Sequence, residues 1–180
     1  MIASHFKTGN LRFRDKILAL DFQLIFLILI LGIISLFAMY SSEQGKFGYY
    51  TQNHLYRLSA FFIVFLGVSF LRVQFWFRSA YFFYVVVLIL LISVYFFGVT
   101  ASGSKRWINI FFFNLQPSEL MKVSLIIFLA RYYYKIPLEY VSSIKHIILP
   151  VLALIIPVYL TASQPDLGTA VLIAGGGFAV

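Results

Sequence analysis

The chain has no cysteine, and that excludes both a disulfide framework and thiolate metal sites. Charge is scarce as well, since Asp, Glu, Lys and Arg together make up 11% of 180 residues. The three histidines, His5, His54 and His146, lie outside the apolar runs and lack metal-ligand spacing, so they read as surface or interfacial residues. What fills the sequence is Phe, Leu, Ile, Val, Ala and Tyr: 62% is hydrophobic and 19% aromatic. A soluble domain of this length cannot hide that much apolar surface, so the solvent for most of it is lipid. The net charge of +8 does not suggest nucleic acid, because the cations flank apolar runs instead of forming one stripe.

A bilayer core takes roughly 20 helical residues to cross. Five runs approach that length, at 22–40, 55–71, 80–99, 118–134 and 147–162, and a sixth runs from 166 to 180. The expected fold is therefore all-α, a polytopic integral membrane helix bundle with about five and a half transmembrane helices. The sixth run is still apolar at Val180, so the chain is expected to be the N-terminal part, 1–180, of a larger transmembrane domain. Lys7, Arg12, Arg14, Lys16, Arg72, Arg78, Arg131, Lys135 and Lys145 fall on one side of this layout; Lys46, Arg57, Lys105 and Arg106 fall on the other. By the positive-inside rule the N-terminus is cytoplasmic, and the connections near 41–54, 99–117 and 163–166 face outward. A cleaved signal peptide fits the first run poorly, because bulky Tyr40 stands where a small residue is needed. Tyr49, Tyr50, Trp76, Tyr81, Trp107 and Tyr132–Tyr134 crowd the span ends as an interfacial belt would. Pro117 and Pro165 suit first helical positions, whereas Pro150 and Pro157 lie inside the fifth span and are expected to bend it.

Polar residues within such spans need a reason. In "QPSELMK", Gln116 or Pro117 starts a helix, Glu119 stands in its first turn and Lys122 follows three residues later on the same face. One reading is a shallow, self-neutralising ion pair, with Lys122 roughly 7 Å below the helix start. The other is a polar cavity that opens outward and is lined by the pair. "QPDLGTA" repeats the theme with Gln164 and Asp166, at similar depth on another inward-running helix. Asp166 again reads either as an N-terminal helix acid or as a neighbour across the cavity. Gly168 and the glycines at 175–177 suit close helix contact. The outward connection "TASGSKRWINIFFFNLQ" suggests a loop dipping into the interface with Lys105, Arg106 and Trp107 at head-group level. It serves either as an ordinary lipid anchor or as a seat for an anionic head group such as a pyrophosphate.

"GSKRWINIFFFNLQPSELMKVSLIIFLARYY" together with "QPDLGTAVLI" closely resembles the SEDS proteins (shape, elongation, division and sporulation), the RodA branch more than FtsW. The resemblance runs from the first span to Val180. It implies an enzyme of the bacterial inner (cytoplasmic) membrane with about ten helices. Such an enzyme polymerises lipid II into peptidoglycan glycan strands beside a class B penicillin-binding protein. The implied reaction is glycosyl transfer with an undecaprenyl pyrophosphate leaving group. A carboxylate base takes the acceptor hydroxyl proton, and cations or a divalent metal offset the pyrophosphate charge. The family's proposed catalytic aspartate belongs to a large outward loop expected beyond Val180, so no carboxylate here takes that role. The residues carried over are Glu119, Lys122 and Asp166 as cavity walls with Gln116 and Gln164, and Lys105, Arg106 and Trp107 as an outer rim. Two rival functions are a lipid II translocase and a scaffold without catalysis. The inner halves of these spans lack the polar residues that a translocation path would want.

Overall fold

The computed structural model describes residues 17–18, 20–101, 104–110, 113–140 and 143–180. His5, the basic leader residues Lys7, Arg12, Arg14 and Lys16, and Gly103 lie outside the described residues. Two compact units divide between Leu71 and Arg72.

The first unit holds α1 (Phe22–Ser42) and α2 (Tyr49–Ser69). Asp21 caps α1 by accepting from Leu24 N–H at 3.1 Å. At its other end, Gln44 and Gly45 take positive φ, and their N–H groups return to Ser41 and Tyr40 carbonyls, which satisfies carbonyls the helix leaves orphaned. Glu43 then caps the next helix: its carboxylate accepts from the N–H of Tyr50 at 3.0 Å, the N–H of Thr51 at 2.9 Å and the Thr51 hydroxyl. Gly48 permits this approach, because a Cβ there would sit 2.5 Å from Glu43 Oε1. Helix α2 thus begins at Tyr49, ahead of the apolar run that starts at Leu55. Its first turns carry the polar residues Gln52, Asn53 and His54. Ser35 of α1 donates to the Gly32 carbonyl at 3.0 Å and lies 2.7 Å from His54 Nε2, so His54 tethers the two helices instead of standing apart at the surface.

The second unit is α3 (Val73–Phe97), a small sheet, α4 (Pro117–Lys135), a 3₁₀ turn (Leu138–Tyr140), α5 (Ile144–Ser163) and α6 (Leu167–Phe178). On α3, Ala80, Tyr84, Val87, Leu91 and Val94 are buried at alternating steps of three and four; on α4, Ser118, Met121, Leu125 and Phe128 follow the same rule. These stripes face one another with Ala153 and Ile173 to make the core, and the Tyr84 and Phe128 rings lie 4.6 Å apart. Gly177 lets α6 close on it, since a Cβ there would lie 2.4 Å from Leu154 Cδ1. Gly168 and Gly175 face open space.

Helix α5 runs through both of its prolines, which are buried on one face with Ala153 and Thr161. Each proline lacks the N–H that would reach the carbonyl four residues back. Those carbonyls belong to His146 and Ala153, and each receives a tyrosine hydroxyl instead: Tyr132 on α4 donates to His146 O at 2.9 Å, and Tyr84 on α3 to Ala153 O at 2.8 Å. In a lipid solvent this satisfies groups that water cannot reach.

The connection after α3 is more ordered than an interfacial loop. It forms β1 (Val99–Ala101), β2 (Ser104–Ile110) and β3 (Phe113–Leu115), an antiparallel sheet in the order β1-β2-β3. Thr100 pairs with Lys105 and Val99 with Trp107, across a bulge, and Asn109 pairs with Asn114. Pro117 is the first residue of α4, but Pro165 precedes the N-cap of α6, which is Asp166. Three of the helices, α1, α3 and α5, are long and apolar enough to cross a membrane. α2 carries Arg57 and α4 carries Glu119, Lys122, Arg131 and Lys135, while the twelve residues of α6 reach only about 18 Å.

Candidate functional site: the joined ends of α4 and α6

The N-termini of α4 and α6 are tied together through one carboxylate. Asp166 caps α6, its Oδ1 accepting from Thr169 N–H at 3.4 Å. Its Oδ2 accepts from Gln116 Nε2 at 2.8 Å, and Gln116 is itself the N-cap residue of α4. The same amide donates to Ser118 Oγ at 3.1 Å. Arg106 reaches Oδ1 from β2, with Nη1 at 3.4 Å. Asp166 is buried while Arg106 is partly exposed, so the guanidinium offsets a charge withdrawn from solvent. Two helix N-termini add their positive dipole ends to the same place. "QPSE" and "QPDL" are therefore two halves of one hydrogen-bonded knot.

Strand alternation sorts the two adjacent cations. Arg106 faces the knot, whereas Lys105 points the other way and its Nζ donates to Tyr95 O at 2.7 Å, in the last turn of α3. That carbonyl is one the helix end leaves orphaned, and a cation is favoured there. Trp107 is half-buried opposite Val99. Gln164 is buried and donates to the Leu91 carbonyl at 3.2 Å, which ties the end of α5 to α3.

Glu119 and Lys122 form their own pair one turn along α4, with Nζ 2.9 Å from Oε1 and 2.8 Å from Oε2. The carboxylate is about half exposed and the ammonium a quarter. They lie at the edge of the buried stripe of α4, Lys122 next to Ser118 and Leu129 and Glu119 on the side of exposed Val123 and Ile126.

Among the described residues no three His, Asp or Glu side chains gather to hold a metal ion. Asp166 is engaged by Arg106, Gln116 and Thr169, and Glu119 by Lys122. This donor set does not fit a divalent cation. Sequence reasoning missed Ser118 and Thr169 as partners in the knot. The Gln-Pro-Ser spacing, which puts a hydroxyl beside the capping amide, was the available signal for the first.

The model of the FtsW/RodA/SpoVE family, described as cell cycle proteins, matches residues 17–180. A probable peptidoglycan glycosyltransferase FtsW from Tolumonas auensis is 32% identical over 166 residues, covering 89% of this chain and 42% of the relative. The peptidoglycan glycosyltransferase MrdB of Escherichia coli K12 is 32% identical over 97 residues, 54% of this chain and 26% of that one. Among solved structures, Thermus thermophilus RodA superposes with a TM-score of 0.77 at 27% identity, over 89% of this chain and 52% of that one. A peptidoglycan synthase complex chain, from work on the coordination of polymerization and crosslinking, gives 0.76 at 27% identity, over 89% and 46%. The chain spans less than half the length of these FtsW and MrdB relatives. With its membrane-span helices it is a multi-pass membrane protein, and it belongs to the FtsW/RodA/SpoVE (SEDS) family.

Proposed function

We propose that residues 1–180 are the N-terminal part of a single SEDS transmembrane domain, in a peptidoglycan glycosyltransferase that polymerises lipid II during cell elongation. The carrying observation is the knot of Arg106, Gln116 and Asp166, which joins the family's two motif segments at one end of the bundle. Relatives named peptidoglycan glycosyltransferases support the activity. In the proposed topology the N-terminus is cytoplasmic, the protein lies in the inner membrane, and the knot faces outward, where lipid II is polymerised. A class B penicillin-binding protein is the proposed partner, in keeping with the synthase complex among the structural neighbours.

In the reaction, an acceptor sugar hydroxyl attacks the anomeric carbon of a lipid-linked donor. Its proton passes to a carboxylate base, and the bond to undecaprenyl pyrophosphate breaks. None of the described carboxylates is assigned as that base, because Asp166 is fully engaged and Glu119 is paired. The roles proposed for this chain are structural and electrostatic. Asp166 and Gln116 fix the helix ends, and Gln164 fixes α5 against α3. Glu119 and Lys122 give the cavity wall a neutral pair with an ammonium held ready for a phosphate oxygen. Arg106, with Lys105 and Trp107 beside it, forms the outer rim. The test is glycan polymerisation from lipid II by the purified full-length protein, with no other transglycosylase present. Glu119→Ala and Lys122→Ala should each lower the rate at least about tenfold, a step of about 1.4 kcal/mol, while membrane insertion persists. Wild-type rates in both variants would leave only a capping role for the pair.

A further inference from the structure

At the opposite end of the second unit, cations gather that no carboxylate pairs with among the described residues. The Arg131 guanidinium lies 4.5 Å over the Tyr81 ring and 5.7 Å from that of Phe77, and its Nη1 donates to the Arg78 carbonyl. Lys135, one turn further along α4, holds its Nζ 5.8 Å from the same Tyr81 ring. Arg78 is exposed on the facing turn of α3. Like charges four residues apart on a helix repel, so Arg131 and Lys135 together are unfavourable unless something offsets them. Arg106 pairs with Asp166 and Lys122 with Glu119, and among the described residues no carboxylate pairs with Arg78, Arg131 or Lys135. Glu139 stands exposed in the 3₁₀ turn and does not reach them.

The cluster is also built rigidly. Arg131 Nε is sealed from solvent and Nη1 is committed, which leaves the Nη2 edge for an outside acceptor. The Phe77 and Tyr134 rings meet edge to face at 5.1 Å beside it, and Trp76 stacks edge to face on Phe83 at 5.8 Å. Aromatics of this kind mark the level of the lipid head groups. Exposed Phe82, Val85 and Ile89, at steps of four, three and four from Arg78, continue along α3 as an apolar track.

We infer that Arg78, Arg131 and Lys135 form a binding site for the phosphate head group of an anionic phospholipid in the adjacent leaflet, with its acyl chains along the exposed face of α3. A guanidinium held by ring stacking, with Nη2 left to donate, suits a phosphodiester oxygen, and two flanking cations select a lipid with net negative charge over a zwitterion. The site is separate from the Asp166 knot and does not depend on the glycosyltransferase reading.

The test is lipid retention by the full-length protein in mixed micelles of phosphatidylglycerol and phosphatidylcholine, read by native mass spectrometry without reference to activity. The wild type should retain phosphatidylglycerol about tenfold over phosphatidylcholine, and R78Q/K135Q should bring the ratio close to one, in line with the attraction of each basic residue at a lipid surface. These two side chains are exposed, so the variant should keep the wild-type thermal transition. Arg131→Lys, which retains charge but loses the ring-stacked guanidinium, should fall between the two. Equal retention of both lipids by the wild type, or an unchanged ratio in R78Q/K135Q, would overturn the assignment. Displacement of phosphatidylglycerol by millimolar inorganic phosphate would overturn it too, by making this a site for a free ion.

Discussion

Replacing Tyr84 by Phe removes one hydroxyl and leaves the ring tilted against Phe128, centroids 4.6 Å apart. The lost group is the donor to Ala153 O, a carbonyl that cannot turn to its own helix because the residue four ahead is Pro157. Tyr84 and Ala153 are both buried, so neither water nor lipid can compensate. An unsatisfied buried acceptor costs about 1–3 kcal/mol in general. Side-chain hydrogen bonds within membrane bundles measure lower, about 0.6 kcal/mol on average and about 1.7 at most. A loss of about 1.5 kcal/mol is expected, close to the membrane ceiling because the native helix offers the carbonyl no second donor. Unfolding of the full-length protein in bicelles, followed by steric trapping, resolves a difference of this size. The same substitution made in a Pro157→Ala background tests the cause. Alanine restores the backbone N–H, which can bond Ala153 O as in any helix. The cost of Tyr84→Phe should then shrink to below about 0.5 kcal/mol, leaving a coupling of about 1 kcal/mol between two residues on different helices. An equal cost in both backgrounds would refute the reasoning, because the hydroxyl would then be acting on something other than the carbonyl freed by proline.

Asp166 separates capping from charge. Asp166→Ala removes an N-cap worth about 1 kcal/mol and strands the amide of Gln116. It also removes an ion pair which, with Arg106 30% exposed, merits no more than about 1 kcal/mol. A total of about 2–3 kcal/mol is expected, against about 1 kcal/mol for Asp166→Asn, which keeps the cap and one acceptor. Hydrogen exchange in the first turn of α6 and in β2 reads both, and equal damage by the two variants would exclude the capping share. Glu43 carries a pH dependence. The Thr51 hydroxyl, foremost, and the N–H groups of Thr51, Tyr50 and Gly48 hold its carboxyl below the ordinary carboxylate value, against a smaller opposing effect of desolvation. A depressed folded value means that the cap is fully present above the unfolded carboxylate value and is lost as pH falls through the folded one, below about pH 4. Amide exchange at Tyr50 and Thr51 should accelerate across that window in the wild type and show no such step in Glu43→Gln.

The apolar helices α1, α3 and α5 were legible because lipid demands long apolar runs, and little else in the sequence competes with that signal. Helix starts were less so. Tyr49, Gln52 and Asn53 look like a polar connection, yet they begin α2 because Glu43, eight residues before Thr51, supplies the cap. The strands flanking the outer hairpins are three residues each, too short for periodicity to announce. Glu119 and Lys122 could be paired from spacing alone, since residues three apart share a helix face. The bond from Gln116 to Asp166 spans fifty residues, and only the likeness of "QPSE" to "QPDL" hinted at it. His54 and Ser35 carried no such hint.

The prolines of α5 connect the core to the knot. A helix with all of its carbonyls paired can slide or rotate against its neighbours at the cost of side-chain packing alone. α5 has two carbonyls with fixed outside donors, Tyr132 on α4 and Tyr84 on α3, and Gln164 at its end adds a bond back to Leu91 on α3. These bonds fix both the axial position of α5 and its rotation relative to α3 and α4, because a shift of one residue breaks all three. Asp166 follows Gln164 by two residues and Gln116 opens α4, so the distance between the two caps is inherited from this register. Buried polar groups of this kind define one arrangement more than they deepen its stability. The knot can therefore hold Asp166 within 2.8 Å of Gln116 through a single amide, because the helices beneath have already fixed where the two ends meet.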